Sequence, residues 1–160
     1  MKRNWVNILL LLAMAGISAG RCQSPNEPAN LTIAAEHPTV KAGSDIWIKI
    51  EMKNTSKHPI DCTVASSNGI DLRFRFQVWG PNGNPLPKKP RKHPELAGGG
   101  SFMLCTLGPG RSTTPEENLL NSIFDMSQPG TYTVQLSRMI DTPSGRMHTK
   151  SNKLEIEVTP

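Results

Sequence analysis

The chain has 160 residues, 36% of them hydrophobic and 19% charged, which is about the length of one domain. Its formal net charge of +5 includes Lys2, Arg3 and Arg21, which lie in an N-terminal segment with the pattern of an export signal; without these three of the 18 basic residues, 15 remain against 13 acidic ones. Since no basic face with interleaved aromatic residues is left, the composition argues against a nucleic-acid partner.

The first 21 residues are predicted to form a secretory signal peptide. A positively charged start, Met1–Trp5, is followed by the apolar run Val6–Ile17 and then by small residues. The run is too short to span a bilayer comfortably, which favours cleavage over a retained membrane anchor. Arg21 stands where a bacterial lipoprotein signal has a small residue, which disfavours a lipid anchor on Cys22. We expect a secreted or periplasmic protein, cut between residues 19 and 22, with no transmembrane segment after signal removal.

Three cysteines predict one disulfide bond. Cys62 and Cys105 lie in the region expected to fold, whereas Cys22 lies at the junction with the signal peptide. An oxidising compartment favours pairing Cys62 with Cys105, and closing that loop would stabilise the fold by about 4 kcal/mol. Two separately buried thiols are the alternative. If cleavage leaves Cys22 in place, it is the odd thiol.

Residues 22–30 are predicted to be a flexible linker, and residues 31–160 to be a succession of short strands. Asp45–Lys53 shows the clearest two-residue alternation, because its large aliphatic side chains point one way while Trp47 points the other. The turn cluster Asn54-Thr55-Ser56 follows it. Three further inward faces are predicted: Leu31, Ile33 and Ala35; Ile60, Cys62 and Val64; and Leu72, Phe74, Phe76 and Val78.

The middle of the chain is less regular. Pro85–Gly100 contains four prolines and three consecutive glycines, which predict a long exposed loop of a kind that is functional or disordered in compact domains. Phe102–Leu107 is predicted to be a short strand in which Cys105 is in phase with Met103 and Leu107.

The last third of the chain completes the strand pattern. Glu116–Met126 predicts a strand followed by one helical turn. Pro129-Gly130 predicts a turn that glycine adopts without Cβ strain, and Tyr132 is expected to bury its ring and donate its hydroxyl to upstream backbone. Two more inward faces are predicted: Tyr132, Val134 and Leu136; and Leu154, Ile156 and Val158.

Seven or eight strands, with no helix long enough to cover a sheet, predict an all-β protein: a single immunoglobulin-like antiparallel β-sandwich. The motifs are Asn54-Thr55-Ser56, Asp71–Val78, Pro81-Asn82-Gly83, Leu107–Ser112 and Pro129–Val134. With them the chain resembles the bacterial secreted immunoglobulin-like sandwich modules. Its layout over most of residues 42–158 is also similar to the bacterial intracellular proteinase inhibitor domain, which implies a loop presented to a protease; the export signal and the cysteine pair depart from that domain.

No catalytic, cofactor-binding or metal-binding residue is predicted. The four histidines, His37, His58, His93 and His148, are scattered over the chain without metal-ligand spacing. No serine lies in a G-x-S-x-G motif, and the three consecutive glycines lack the lysine and the helix of a phosphate-binding loop. We therefore expect a protein that is not an enzyme and uses no cofactor.

The first candidate binding surface is the outward face of the predicted strand Leu72–Trp79. Arg73 and Arg75 supply planar charged groups and Trp79 supplies an aromatic plate, which are residue types enriched at binding hot spots. Trp47, on the outward face of its own strand, could extend this surface. The alternative is that the arginines pair across strands with Glu51, Glu155 or Glu157.

The second candidate surface is the basic part of the long loop, which could meet anionic polymers or an acidic partner. Its charged residues are Lys88, Lys89, Arg91 and Lys92. The alternative is a solvated flexible insertion.

These features predict a non-catalytic binding or structural module of the cell envelope, whose partner is another protein or an envelope polymer. One alternative is a peptidase inhibitor that presents Pro85–Gly100 to a protease cleft. A second is a carbohydrate-binding module that stacks sugars on Trp47 and Trp79.

Overall fold

The structure is a computed structural model that describes residues 27–67, 70–71, 73–90 and 101–160. The predicted signal peptide (residues 1–21), Cys22, Leu72, Arg91, Lys92 and His93 lie outside these ranges. The described residues form β-strands and no α-helix, with a 3-10 turn at Leu120–Ser122. The strands are β1 (Ala29–Ala35), β2 (Thr39–Lys41), β3 (Trp47–Asn54), β4 (Ile60–Asp61), β5 (Val64–Ser67), β6 (Ile70–Asp71), β7 (Phe74–Trp79), β8 (Ser101–Met103), β9 (Thr106–Leu107), β10 (Glu116–Leu119), β11 (Gly130–Thr142), β12 (Gly145–Lys150) and β13 (Leu154–Thr159).

Two main sheets form the sandwich, which confirms the predicted all-β fold. The first sheet has the strand order β1-β3-β10. In the second sheet, β7 pairs with one edge of the long strand β11, while β12 and β13 pair with successive parts of its other edge. The remaining pairings are short: β4 with β9, and β5 with β6 and β8.

One pairing departs from the antiparallel prediction. The short strand β2, which the sequence pattern did not predict, runs parallel to β13 at the edge of the second sheet. Backbone hydrogen bonds hold both ends of this pairing, from Glu157 to the Pro38 carbonyl and from Ala42 to the Thr159 carbonyl, each 2.8 Å long. Thus the chain that leaves the first sheet after β1 crosses to the second sheet before it returns as β3.

Inward side chains of both sheets form one hydrophobic core. On β3, Ile48, Ile50 and Met52 are buried and Trp47 is 38% exposed, as the alternation predicts. The second sheet contributes Phe74, Phe76, Val78, Tyr132, Val134, Leu136, Ile140, Ile156 and Val158. Because the inner faces are filled, the outer faces of the two sheets and the loops are left for binding.

The chain turns sharply into β11 at Gly130, whose φ is +136°. Two residues later the ring of Tyr132 is buried, and its hydroxyl donates a 2.7 Å hydrogen bond to the carbonyl of Gln128, as predicted. Burial of the phenol raises the pKa of Tyr132 above its ordinary value. The turn and the hydrogen bond together fix the corner from which β11 starts.

Replacing Gly130 by alanine is expected to lower the free energy of unfolding by about 2 kcal/mol. The new Cβ would lie 2.6 Å from the Cβ of Pro81, and a φ of +136° is unfavourable for any L side chain. Gly83→Ala is the matched control, because Gly83 also has a positive φ but no described atom lies within 4 Å of its added Cβ. Urea unfolding followed by tryptophan fluorescence measures both variants. Equal losses would show that the contact with Pro81 adds no strain.

The disulfide bond between Cys62 and Cys105 is present, with Cα atoms 4.9 Å apart. The predicted strand Phe102–Leu107 is interrupted between β8 and β9, where the Cys105 carbonyl accepts a 3.0 Å hydrogen bond from the Cys62 N–H, next to the end of β4. Met103 is 62% exposed while Leu107 is buried. The prediction that Met103 shares a face with Cys105 and Leu107 is therefore wrong for Met103, whereas Cys105 packs against the core that contains Leu107.

The first part of the predicted loop Pro85–Gly100 has exposed side chains, apart from the partly buried Leu86, but its backbone is held on the sandwich. The N–H of Leu86 donates to β7 (2.8 Å), and the N–H of Lys89 donates to the carbonyl of Ile123 (2.7 Å). Backbone hydrogen bonds therefore attach the start of the loop to the sandwich. Residues 91–100 lie outside the described ranges.

A basic cleft on the outer face of the second sheet

The register of three strands organises the outer face of the second sheet. Arg75 on β7 and Lys150 on β12 both lie directly opposite Ser137 on the central strand β11. Because neighbouring strands lie about 4.8 Å apart, the two cationic residues are about 10 Å apart across the row. The small side chain of Ser137 leaves the space between them unfilled.

This space belongs to an open cleft of about 540 Å³. It is lined by Arg75, Phe76, Gln77, Lys88, Ser137, His148 and Lys150. None of these described lining residues carries a carboxylate. Lys88 comes from the loop and Arg75 from the strand, so the two surfaces predicted separately meet at one site. Three cationic side chains around one hollow create a positive potential that attracts anions.

Two of the cleft residues, His148 and Lys150, were missed as binding candidates by the sequence prediction. The sequence did contain a pattern that could have identified them: basic residue types occupy every second position of β12, namely Arg146, His148 and Lys150. This alternation places them on one face of the strand. What the sequence does not contain is the pairing of β12 with β11, which brings that face beside Arg75.

Arg73 lies beside the cleft, where it is tied into a polar cluster. It precedes the first residue of β7, and its guanidinium pairs with Asp61 (2.5 Å) and Asp141 (3.4 Å). The prediction of Glu51, Glu155 or Glu157 as the partner is therefore wrong for Arg73. Glu51 lies on the first sheet, and the other two glutamates lie opposite threonines on a different part of β11.

Asp61 anchors this polar cluster. One carboxylate oxygen accepts a 2.7 Å hydrogen bond from the N–H of Thr63, and the other accepts from Arg73. Burial alone would raise the pKa of Asp61, but the hydrogen bonds from Thr63 and Arg73 and the charge of Arg73 together hold the pKa below its ordinary value of 3.8.

Acid is expected to destabilise the protein partly through Asp61. Because its pKa is lower in the folded protein, the carboxylate stabilises the fold above the unfolded-state pKa, and this contribution is lost as the pH falls through the lowered native pKa. The Asp61→Asn variant should therefore lose less stability than the wild type between about pH 5 and about pH 2. Urea unfolding across this interval measures the difference. Parallel pH profiles would contradict the role given to Asp61.

A buried arginine, Arg138, lies on the inner face of the same sheet and was not predicted. It is 2% exposed, and its guanidinium donates a 2.7 Å hydrogen bond to the carbonyl of Thr63 and lies 5.0 Å from the ring centroid of Phe74. The Thr63 carbonyl also accepts from Arg73 (3.1 Å). Arg138 thus links the core to the polar cluster beneath the outer face.

The two tryptophans proposed as binding plates do not share a surface. Trp79 is half-buried on the second sheet, with the ammonium of Lys153 5.8 Å from its ring centroid. Trp47 lies on the first sheet, opposite Leu119 of β10. The two sheets of a sandwich expose opposite outer faces, so Trp47 does not extend the surface that contains Arg75 and Trp79.

Of the basic loop residues, Lys88 and Lys89 have side chains in different places. Lys88 lines the cleft, whereas the ammonium of Lys89 donates a 2.8 Å hydrogen bond to the carbonyl of Asn121. Lys89 thereby secures the loop on the sandwich and is separate from the cleft residues.

The described histidines lie at separate exposed positions. His37 and His58 are in turns and His148 is on β12. Among the described residues, no group of three or more histidine, cysteine, aspartate or glutamate side chains is placed to hold a metal ion. In the same part of the chain, no helix has both the length and the apolar character needed to cross a bilayer.

Comparison with known proteins finds structural neighbours that share little sequence identity with this chain. No protein-family model matches the chain, and no curated protein matches it significantly.

The CARDB domain of a Pyrococcus furiosus protein, solved in complex with di-metal ions, shares 11% identity and a TM-score of 0.44, covering 82% of this chain and 87% of that one. The sporulation control protein Spo0M of Bacillus subtilis shares 12% identity at a TM-score of 0.43, covering 84% of this chain and 50% of Spo0M. A Listeria innocua β-glucosidase in complex with glucose shares 13% identity at a TM-score of 0.31, covering 82% of this chain and 16% of the enzyme. At these values the similarities carry no argument about function.

Proposed function

We propose that this protein is an exported, non-catalytic binding module of the cell envelope, and that the basic cleft is its binding surface. The observation that carries the proposal is the row in which Arg75 and Lys150 flank Ser137, with Lys88 closing the same hollow. A cationic surface of this kind speeds encounters with negatively charged partners and orients them. The partner is therefore an anionic component of the envelope.

Two features support export. The segment of residues 1–21 has the charged start, apolar run and small residues of a cleavable signal peptide. The bond between Cys62 and Cys105 is of the type that persists in oxidising compartments such as the periplasm and the extracellular space.

The composition of the cleft supports binding without catalysis. Arginine and lysine hold a fixed charge near neutral pH, and general acid–base chemistry by His148 would require an orienting partner such as a carboxylate. No carboxylate is among the described residues that line the cleft. The alternatives have less support: the start of the proposed inhibitory loop is held on the sandwich by Lys89, and the two tryptophans of the carbohydrate-binding alternative lie on different sheets.

Removing two cleft charges is expected to weaken attachment to the envelope about tenfold, because two exposed ionic contacts of about 0.7 kcal/mol each contribute about 1.4 kcal/mol together. The variant is Arg75→Ala/Lys88→Ala. The measurement is co-sedimentation of the mature protein with washed envelopes of the producing organism, over a range of protein concentrations and at low salt, where exposed charges are least screened.

The matched control is Lys49→Ala/Lys53→Ala, which removes the same charge from the exposed outer face of the first sheet. There Lys49 already has an acidic neighbour, with its ammonium 3.6 Å from the Glu117 carboxylate. The control should sediment like the wild type. Equal sedimentation of all three proteins would overturn the proposal.

A further inference from the structure

A second hollow adjoins the basic cleft on the same sheet face. It has a volume of about 240 Å³ and is lined by Arg73, Arg75, Met139 and Arg146. Arg75 lines both hollows, so the two are neighbours with one guanidinium between them. The positive surface therefore continues along the strands from Lys88 past Arg75 to Arg146.

Two acidic side chains among the described residues, Asp61 and Asp141, pair with the arginines of the second hollow. The carboxylate of Asp141 forms ion pairs with two guanidinium groups, at 2.8 Å from the Nε of Arg146 and 3.4 Å from the Nη2 of Arg73. Arg73 and Arg146 are thus matched in charge by Asp61 and Asp141, and Arg75 supplies the excess positive charge where the two hollows meet. The hydrogen bond and the charge of Asp141 raise the pKa of Arg146, which stays cationic.

The spacing of the cationic positions suits an extended ligand. Residues two apart on a strand lie about 6.7 Å apart on the same face, so Arg146 and Lys150, four residues apart on β12, are about 13 Å apart along that face. Separate small anions in the two hollows would repel each other across Arg75. When the anionic groups belong to one chain, the covalent bonds already hold them near each other, so binding does not have to bring separate anions together. Once the first group is bound, the effective concentration of the next group at its site is high, which favours each further contact.

The chemistry between the cations distinguishes a glycan from a nucleic acid. Gln77 and Ser137 offer neutral donors and acceptors for hydroxyl groups. Phe76 is the one phenylalanine, tyrosine or tryptophan among the described lining residues of the two hollows, and it is 6% exposed with its side chain in the core. The described lining therefore has no exposed benzene or indole ring on which a base would stack.

We infer that the two hollows form one track for an extended anionic glycan chain with a carboxylate or phosphate group on each repeating unit. The inference rests on the proposed function and specifies its partner. Arg75, at the junction, donates to oxyanions on adjacent units through its planar guanidinium. Lys88 and Lys150 hold the chain at one end of the track, and Arg146 holds it at the other.

Calorimetric titration with oligomers of graded length tests this inference. The probes are galacturonate as monomer, trimer and hexamer for the carboxylate source, and hexose-phosphate oligomers of the same lengths and charge for the phosphate source. Affinity should rise at least about tenfold from monomer to hexamer in one of the two series. Arg75→Ala should remove most of that gain, whereas Lys49→Ala should not change it.

Three outcomes would overturn the inference: equal affinity for monomer and hexamer, equal affinity for a poly-glutamate of the same charge, or loss of the gain in Lys49→Ala. Failure of the proposed function looks different. If the probes do not bind but Arg75→Ala/Lys88→Ala still loses its attachment to envelopes, the glycan track is wrong and the binding surface stands. If that variant sediments like the wild type, both are wrong.

Discussion

Replacing Cys62 and Cys105 together by alanine is expected to lower the free energy of unfolding by about 4 kcal/mol. The bond joins residues separated by 43 positions, so it removes many open conformations from the unfolded chain. It also holds the break between β8 and β9 against the end of β4. A loss of this size is a large fraction of the stability of a small domain.

Reduction separates this effect from a change in packing. In urea unfolding, a thiol reductant should bring the wild type to the midpoint of the Cys62→Ala/Cys105→Ala variant and should leave the variant unchanged. If the variant unfolds at the same urea concentration as the oxidised wild type, the bond does not contribute to stability.

Replacing Arg138 by alanine is expected to lower the free energy of unfolding by about 3 kcal/mol, whereas Arg138→Met should lower it by less than about 1 kcal/mol. The side chain is 2% exposed and fills the space between the Phe74 ring and the Thr63 carbonyl. Alanine would leave a cavity there. Methionine keeps most of the volume and relieves the cost of holding a charge away from water.

Thermal and urea unfolding of the two Arg138 variants provide the comparison. The Thr63 carbonyl keeps a donor in both variants, because Arg73 also donates to it. If Arg138→Met loses as much stability as Arg138→Ala, the guanidinium stabilises the fold through its charge and hydrogen bonds, and the packing argument is contradicted.

Local periodicity was sufficient to predict the strands that bury one face. The alternation around β3 and β11 correctly placed Ile48, Ile50 and Leu136 in the core, and the turn at Gly130 correctly placed the hydroxyl of Tyr132 on upstream backbone. These features depend on residues close in sequence. A two-residue period decides which face of a strand is apolar wherever the strand is paired.

Contacts between strands distant in sequence could not be predicted in the same way. Periodicity did not reveal that Trp47 and Trp79 lie on different sheets, or that Lys150 lies in the same row as Arg75. Both follow from strand order and register, which are properties of the whole fold. Arg138 shares the phase of Leu136 and is buried, but charged side chains are rarely found in a core, so the residue type alone does not predict its burial.

We propose that the protein contacts its partner through the outer face of the second sheet. The most direct measurement is lysine acetylation of the mature protein, free and bound to washed envelopes, read by mass spectrometry of its peptides. We predict that Lys88 and Lys150 become protected on binding, while Lys49 and Lys53 on the first sheet remain as reactive as in the free protein. Protection of Lys49 and Lys53 with unchanged reactivity of Lys88 and Lys150 would contradict the account.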